Sequence, residues 1–278
     1  MATSFRRPES DEYQHARRAA GLESGATIPG LDRNARYSSR LSARSALYSD
    51  FHQLMASEDR PLASAEYRRR VVDENRLAKR SVAAREKLWS ELKARYLLDA
   101  GSLFAEFWSE WRRCDSDMER SLTAYVLFAL NDRLVSDLGT EYLFPLLRRA
   151  PAEIRLVDVE AFIHRRIREH PASREWTDNT RLAVAQKYLA SIRDFGLARG
   201  TMKKLSLRPA LYAAPVRLVV RALRIAGVPE LEILGAHAFR LLCIAETEVI
   251  EALSELHRGG TLLFRVQGDV VELDVGGA

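Results

Sequence analysis

The stretch TDNTRLAVAQKYLASIRDFGLARGTMKKLSLR, residues 177–208, decides the fold. Thr177 or Asp178 offers a side-chain oxygen able to cap a helix N-terminus. Beyond it Leu182, Ala185, Tyr188, Leu189, Ile192 and Phe195 recur at three- and four-residue steps, the apolar stripe of a helix buried on one side. Gly196 stands where a helix C-terminus favours glycine. Gly200, Lys203 and Lys204 follow, and Leu205 and Leu207 alternate up to Arg208, as in a short extended piece. Upstream, Val157, Val159, Phe162, Ile163 and Ile167 predict a partner helix ending near Pro171. Helix, helix, glycine, then a basic extended piece is the outline of a winged helix-turn-helix.

A similar outline lies nearer the N-terminus. Ser64 and Tyr67 open a helix, and Leu77 then precedes Ser81, which is placed to cap a longer one running through Leu98. The stripe of that longer helix is Val82, Leu88, Trp89, Leu92 and Tyr96. Before it, Ala43, Leu47, Phe51 and Leu54, widened by Tyr48 and Met55, predict one helix beginning near Tyr37 and ending before Pro61. Residues 1–35 show no sustained period and balance five Lys/Arg against five Asp/Glu. They read as a disordered or loosely docked tail.

Between the two outlines, Phe104, Phe107, Trp108 and Trp111 precede a run of Leu122, Tyr125, Val126, Phe128 and Leu130. A base-stacking platform would also use aromatic side chains, but this spacing is that of a bundle core. Tyr142, Phe144, Leu146 and Leu147 continue the block, with Pro145 marking a helix start or kink. At the C-terminal end, Glu246–Leu256 predicts a helix with Val249, Ile250, Leu253 and Leu256 on one face. Thr261–Val266 and Val270–Val275, joined by Gln267-Gly268-Asp269, predict a β-hairpin. Its Glu272 and Asp274 suit packing better than contact with phosphate. The expected fold is mainly α: a helical bundle with helix-turn-helix and winged segments and a small C-terminal hairpin. Its expected parts are a tail (1–35), a first helix-turn-helix unit (36–100), a helical unit with the winged segment (101–210) and C-terminal helices with the hairpin (211–278).

Charge sharpens this outline. Over 278 residues the net charge is only +5, yet residues 65–95 hold ten Lys/Arg against five Asp/Glu, and residues 174–208 hold eight against three. Each window alone carries +5, so the remainder nets −5. Basic charge is concentrated in the two helix-turn-helix outlines, which points to a polyanionic partner. The favoured contacts are Arg80, Arg85 and Lys87 in the first window and Arg181, Lys187, Lys203 and Lys204 in the second, displacing counterions from phosphate. Ser81, Thr177 and Thr180 sit near helix N-termini and could add phosphate hydrogen bonds. Few of these residues suit base readout, so weak sequence specificity is expected.

Other chemistries leave no mark. There is no P-loop, no dinucleotide-binding glycine fingerprint and no nucleophile elbow. Cys114 and Cys243 are far apart, which fits a reducing cytoplasm and neither a zinc ribbon nor a disulfide scaffold. Glu160 and His164 share a helix face, but two ligands do not make a metal site. No cofactor and no catalytic centre are expected. The most apolar segment, Ala210–Val228, is interrupted by Pro215, Arg217, Arg221 and Arg224 and reads as an amphipathic helix rather than a membrane span.

The order Tyr37-Ser38-Ser39-Arg40, Glu74-Asn75-Arg76-Leu77, Lys79-Arg80-Ser81 and Leu92-Lys93-Ala94-Arg95-Tyr96 resembles the BrxA proteins of bacterial BREX phage-defence systems. So do Trp176-Thr177, Thr180-Arg181 and Arg193-Asp194-Phe195-Gly196-Leu197, and the likeness spans roughly residues 36–230. The resemblance implies a non-enzymatic, helical component that binds double-stranded DNA, encoded beside a methyltransferase, a large ATPase and other defence proteins. Two other readings fit the same charges: an assembly subunit whose basic faces dock acidic partner proteins, and a helical RNA-binding protein.

Overall fold

The computed structural model describes residues 27–96, 98, 101–170, 176–268 and 270–276. Helix α1 (Tyr48–Ala56) is followed by α2 (Ser64–Arg68), which widens into a π-helical segment at Arg69–Asp73, and by α3 (Val82–Tyr96). Helices α4 (Ser102–Arg112) and α5 (Asp117–Leu130) come next. A helical run then passes through α6 (Arg133–Asp137), a second π segment (Leu138–Leu143) and α7 (Phe144–Arg148). Strand β1 (Glu153–Ile154) leads into α8 (Leu156–Glu169), α9 (Asp178–Asp194), β2 (Ala198–Arg199) and β3 (Lys204–Ser206). Helices α10 (Ala213–Ile225), α11 (Glu230–Ile233) and α12 (Val249–Arg258) precede the hairpin β4 (Leu263–Gln267) and β5 (Val270–Asp274). The protein is mainly α, as its periodicity predicts.

Helix α5 is the axis of the core. Every position from Ser121 to Leu130 is buried, because the run SLTAYVLFAL offers nothing larger and polar than a hydroxyl or phenol. The hydroxyl of Ser116 caps it, accepting the Glu119 N–H at 3.1 Å. Helices α4 and α10 pack along it. Phe104, Phe107, Trp108 and Trp111 are buried against them, with Phe107 and Trp111 ring centroids 5.5 Å apart. The aromatic block is core and offers no stacking platform.

Helix α10 departs from its predicted amphipathic character. An amphipathic surface helix would turn its arginines to water, yet Arg217 and Arg221 are only 6% and 7% exposed. Their partner is Glu110 on α4, which is fully buried. Arg217 Nε donates to Glu110 Oε2 at 2.7 Å, and Arg221 Nε donates to Oε1 at 3.0 Å. Spare guanidinium protons reach the C-terminal chain: Arg217 to the Thr261 carbonyl at 3.0 Å, Arg221 to Val275 at 3.2 Å, and Arg224 to the Leu273 carbonyl. Arg221 also holds Glu106 at 2.5 Å. The predicted hairpin is present, with Phe264 opposite Leu273 and both buried. Its turn residue Asp269 lies outside the described residues.

The predicted helix from Tyr37 to Leu54 is interrupted. Leu47 has φ +57°, and regular helix begins only at Tyr48. The cause is a competing set of donors and acceptors for the backbone of residues 40–46. Arg95 donates to the carbonyls of Ser45 at 3.0 Å and Arg44 at 2.9 Å. The Tyr96 hydroxyl donates to the Ala46 carbonyl at 2.7 Å, and the Ala46 N–H donates to Ser191 Oγ at 2.8 Å. Groups so satisfied have no need of a helical ladder.

Part of the predicted tail is also docked. Ile28 is buried, and the Gly30 N–H donates to the Leu130 carbonyl at 2.7 Å across the end of α5. A Cβ at Gly30 would come within 2.6 Å of Leu130 Cα, so only glycine allows that crossing. Residues 1–26 lie outside the described residues. Three predicted stripe positions face water instead: Val82, Val157 and Ile250. Each lies in the first turn of its helix, where the chain is still turning away from the core.

Replacing Glu110 with alanine leaves buried Arg217 without a carboxylate partner and Arg221 with Glu106 alone. It is expected to lower stability by roughly 3–5 kcal/mol, read from urea unfolding, and to expose the C-terminal hairpin to proteolysis first.

Candidate nucleic-acid interface

The second basic window folds as a compact unit. Helices α8 and α9 lie in sequence between β1 and β2, and the three short strands form an antiparallel sheet in the order β1-β3-β2. Ile154 pairs with Lys204, and Arg199 with Leu205. Ser206 fastens the sheet, accepting the Ala152 N–H at 2.9 Å and donating to the Leu146 carbonyl at 2.8 Å. The loop between β2 and β3 depends on Gly200, whose φ is +96° and whose missing Cβ would fall 2.1 Å from the Lys203 carbonyl oxygen. Met202 at its tip is 99% exposed.

Helix α9 starts where the sequence predicts. The Thr177 hydroxyl accepts the Thr180 N–H at 3.2 Å, making Thr177 rather than Asp178 the cap. Val184, Ala185, Tyr188, Leu189 and Ile192 are buried, and Phe195 packs 5.5 Å from both Tyr125 and Phe128. One flank of α9 meets α8, and another meets the strap at residues 40–46. What remains open is a face with Asn179, Gln186 and Arg193 exposed in line, Ala183 and Ala190 between them, and Lys187 alongside. A groove of about 410 Å³ runs beside this face, walled by Gln186 and Leu189, by Arg155 at the start of α8, and by Thr201–Lys204 of the loop.

The sequence-predicted contacts separate by what already occupies them. Lys203 and Lys204 line the groove; Lys203 has an exposed Glu153 at 3.5 Å and Lys204 donates to the Thr201 carbonyl at 2.9 Å. Lys187 is half-buried at the margin of the open face. Thr177 and Thr180 spend their hydroxyls on each other, 2.9 Å apart, and on the cap. Arg181 is held by Asp178 and by the Trp176 carbonyl, the latter at 2.6 Å, so it staples the start of α9.

In the first window, Ser81 caps α3 by accepting the Ala84 N–H at 3.2 Å. Arg85 donates to the Val72 carbonyl at 2.7 Å, tying α3 to the π segment after α2. Arg80 and Lys87 are exposed, with no ion pair or hydrogen bond among the described residues. The groove beside α9 includes no residue of this window.

Asn179, Gln186 and Arg193 are absent from the sequence-predicted set. Their signal is the seven-residue spacing with alanines between, which charge counting cannot register because two of the three are neutral. Arg155 also escapes that count, lying outside the window of residues 174–208. Among the described residues no cluster of three or more His, Cys, Asp or Glu side chains could hold a metal ion, and no helix is long and apolar enough to cross a membrane. Burial pushes the Cys114 thiol up to about 12, which leaves it a poor nucleophile.

A family model of BrxA matches residues 35–222, two thirds of the chain and the whole α1–α9 frame with β1–β3. The chain belongs to the BrxA family, and with it to BREX phage defence. No curated protein and no solved structure matches it.

Removing Arg85 or Arg181 as alanine variants is expected to lower the thermal midpoint by several degrees, since each leaves buried or end-of-helix carbonyls unpaired. The Arg80 and Lys87 alanine variants are expected to melt with the parent protein.

Proposed function

We propose that the chain is a non-catalytic DNA-binding component of its defence system, in which residues 153–206 act as a winged helix. In this reading α9 enters the major groove of duplex DNA, α8 braces it, and the loop at Gly200–Lys203 is the wing that follows the adjacent backbone. The observation that carries the reading is the conjunction of strand order β1-β3-β2 around α8 and α9 with an open polar face on α9, beside a loop bearing Lys203 and Lys204.

The electrostatics favour a polyanion. Lys203 and Lys204 sit on one wall of the groove and Arg155 on another. Both present ion pairs there, Lys203 with Glu153 and Arg155 with Asp158, are on the exposed surface. The single 3.5 Å contact of Lys203 is weak and readily exchanged for phosphate, whereas Arg155 is held by both carboxylate oxygens of Asp158, at 2.7 and 2.8 Å. Arg80 and Lys87 are unspent cations at a second position, suited to phosphate contacts outside the groove.

Fluorescence anisotropy with a labelled duplex of arbitrary sequence tests this. Affinity is expected to fall at least about tenfold between 50 and 200 mM salt. Reversing both loop lysines (Lys203→Glu with Lys204→Glu) is expected to weaken binding by more than about tenfold and to flatten the salt slope by about two. Binding that ignores salt, or an unaltered affinity in the double variant, contradicts the proposal. Preference for structured RNA in a competition arm would move the interface to that polymer.

A further inference from the structure

The open face of α9 carries a pattern that phosphate contact alone does not need. Asn179, Gln186 and Arg193 succeed one another at intervals of seven residues, two turns of helix, so their side chains lie nearly in line. All three are exposed, and the amides of Asn179 and Gln186 have no hydrogen-bond partner among the described residues. Between them stand Ala183 and Ala190, whose short side chains let the helix axis approach a surface closely. Lys187 flanks the line on one side, and Leu189 with the loop lysines flanks it on the other.

Those side chains match the chemistry of base edges in the major groove. An Asn or Gln amide presents one donor and one acceptor, the complement of adenine N7 and N6, and Arg presents two donors to guanine O6 and N7. Seven residues of helix advance about 10.5 Å, close to the rise of about three base pairs. Successive members of the line therefore meet base pairs roughly three steps apart. Arg193 is the least committed to this role, because Asp194 pairs with it at 3.0 Å. Gln186 is the most committed, because it also forms part of the groove wall with Lys203 and Lys204. Gln186 and the two lysines thus border one groove.

We infer that Asn179 and Gln186 are base-reading residues, so that the protein selects DNA by sequence, with adenine favoured at two positions about three base pairs apart. This goes against the weak specificity expected from charge alone, and it rests on the winged-helix reading above.

Selection from a library of random duplexes, at a salt concentration that suppresses electrostatic binding, tests the inference with the full chain. Enrichment of a motif with two adenine-rich positions about three base pairs apart supports it. Gln186→Ala is then expected to lose roughly tenfold in affinity for the motif and with it the preference for the motif over arbitrary duplex, and Asn179→Ala to relax the other position. Both side chains are exposed, so folding is expected to be retained, with unfolding curves as the control. Salt-dependent binding without any enriched motif, or a motif that Gln186→Ala leaves unchanged, overturns the inference while leaving DNA binding standing. Absence of binding to any duplex at low salt overturns both.

Discussion

Glu110 accepts from two guanidinium groups in a place that water does not reach, and much of the architecture follows from keeping that carboxylate satisfied. An isolated charge at such depth would cost several kcal/mol. Here each carboxylate oxygen has its own arginine, and each arginine carries further protons to backbone carbonyls of the C-terminal chain. The arrangement fixes the register of α10 against α4, since Arg217 and Arg221 are one helical turn apart and must reach a single side chain. It also holds the hairpin, whose own buried pair of Phe264 and Leu273 is small for two strands. A hydrophobic replacement could fill the same volume, but it would not reach the carbonyls of Thr261 and Val275.

A second polar junction sets the orientation of the α9 face. Asp137, almost fully buried, accepts the Tyr37 hydroxyl at 2.6 Å and the Arg166 guanidinium at 2.9 Å, and it pairs with Arg133 at 2.6 Å. Tyr37 ahead of the strap, the run beginning at α6 and the end of α8 thus meet at one carboxylate. Burial and the neighbouring carboxylate raise the Tyr37 phenol above its usual range, so it stays a donor even in alkaline solution. With α8 fixed there and the strap lying on another flank of α9, one side of α9 is left open to solvent.

Regular, locally encoded features were legible in the sequence. The caps Ser81 and Thr177, the glycine at 196, the hairpin and the buried stripes of α3 and α9 all follow from short-range chemistry that a pattern of residues reports directly. Features set by distant partners were not. Nothing near Arg217 announces that Glu110, over a hundred positions away, will draw it inside. Nothing around Leu47 announces that Arg95 and Tyr96 will take the carbonyls a helix would have used. Basic windows located two regions rich in cations, but counting could not separate Arg85 and Arg181, spent on carbonyls, from Lys203 and Lys204 on a groove wall. The neutral members of the open face fell below any charge-based search for the same reason.

The strap between Arg40 and Ala46 joins those two regions mechanically. Its peptide at Ala46 is gripped from one side by Ser191 of α9 and from the other by Tyr96 of α3. Two hydrogen bonds and a single residue thus separate α9 from the last residue of α3. A displacement of α9 would therefore have to carry the strap with it or break its tie to the C-terminal end of α3.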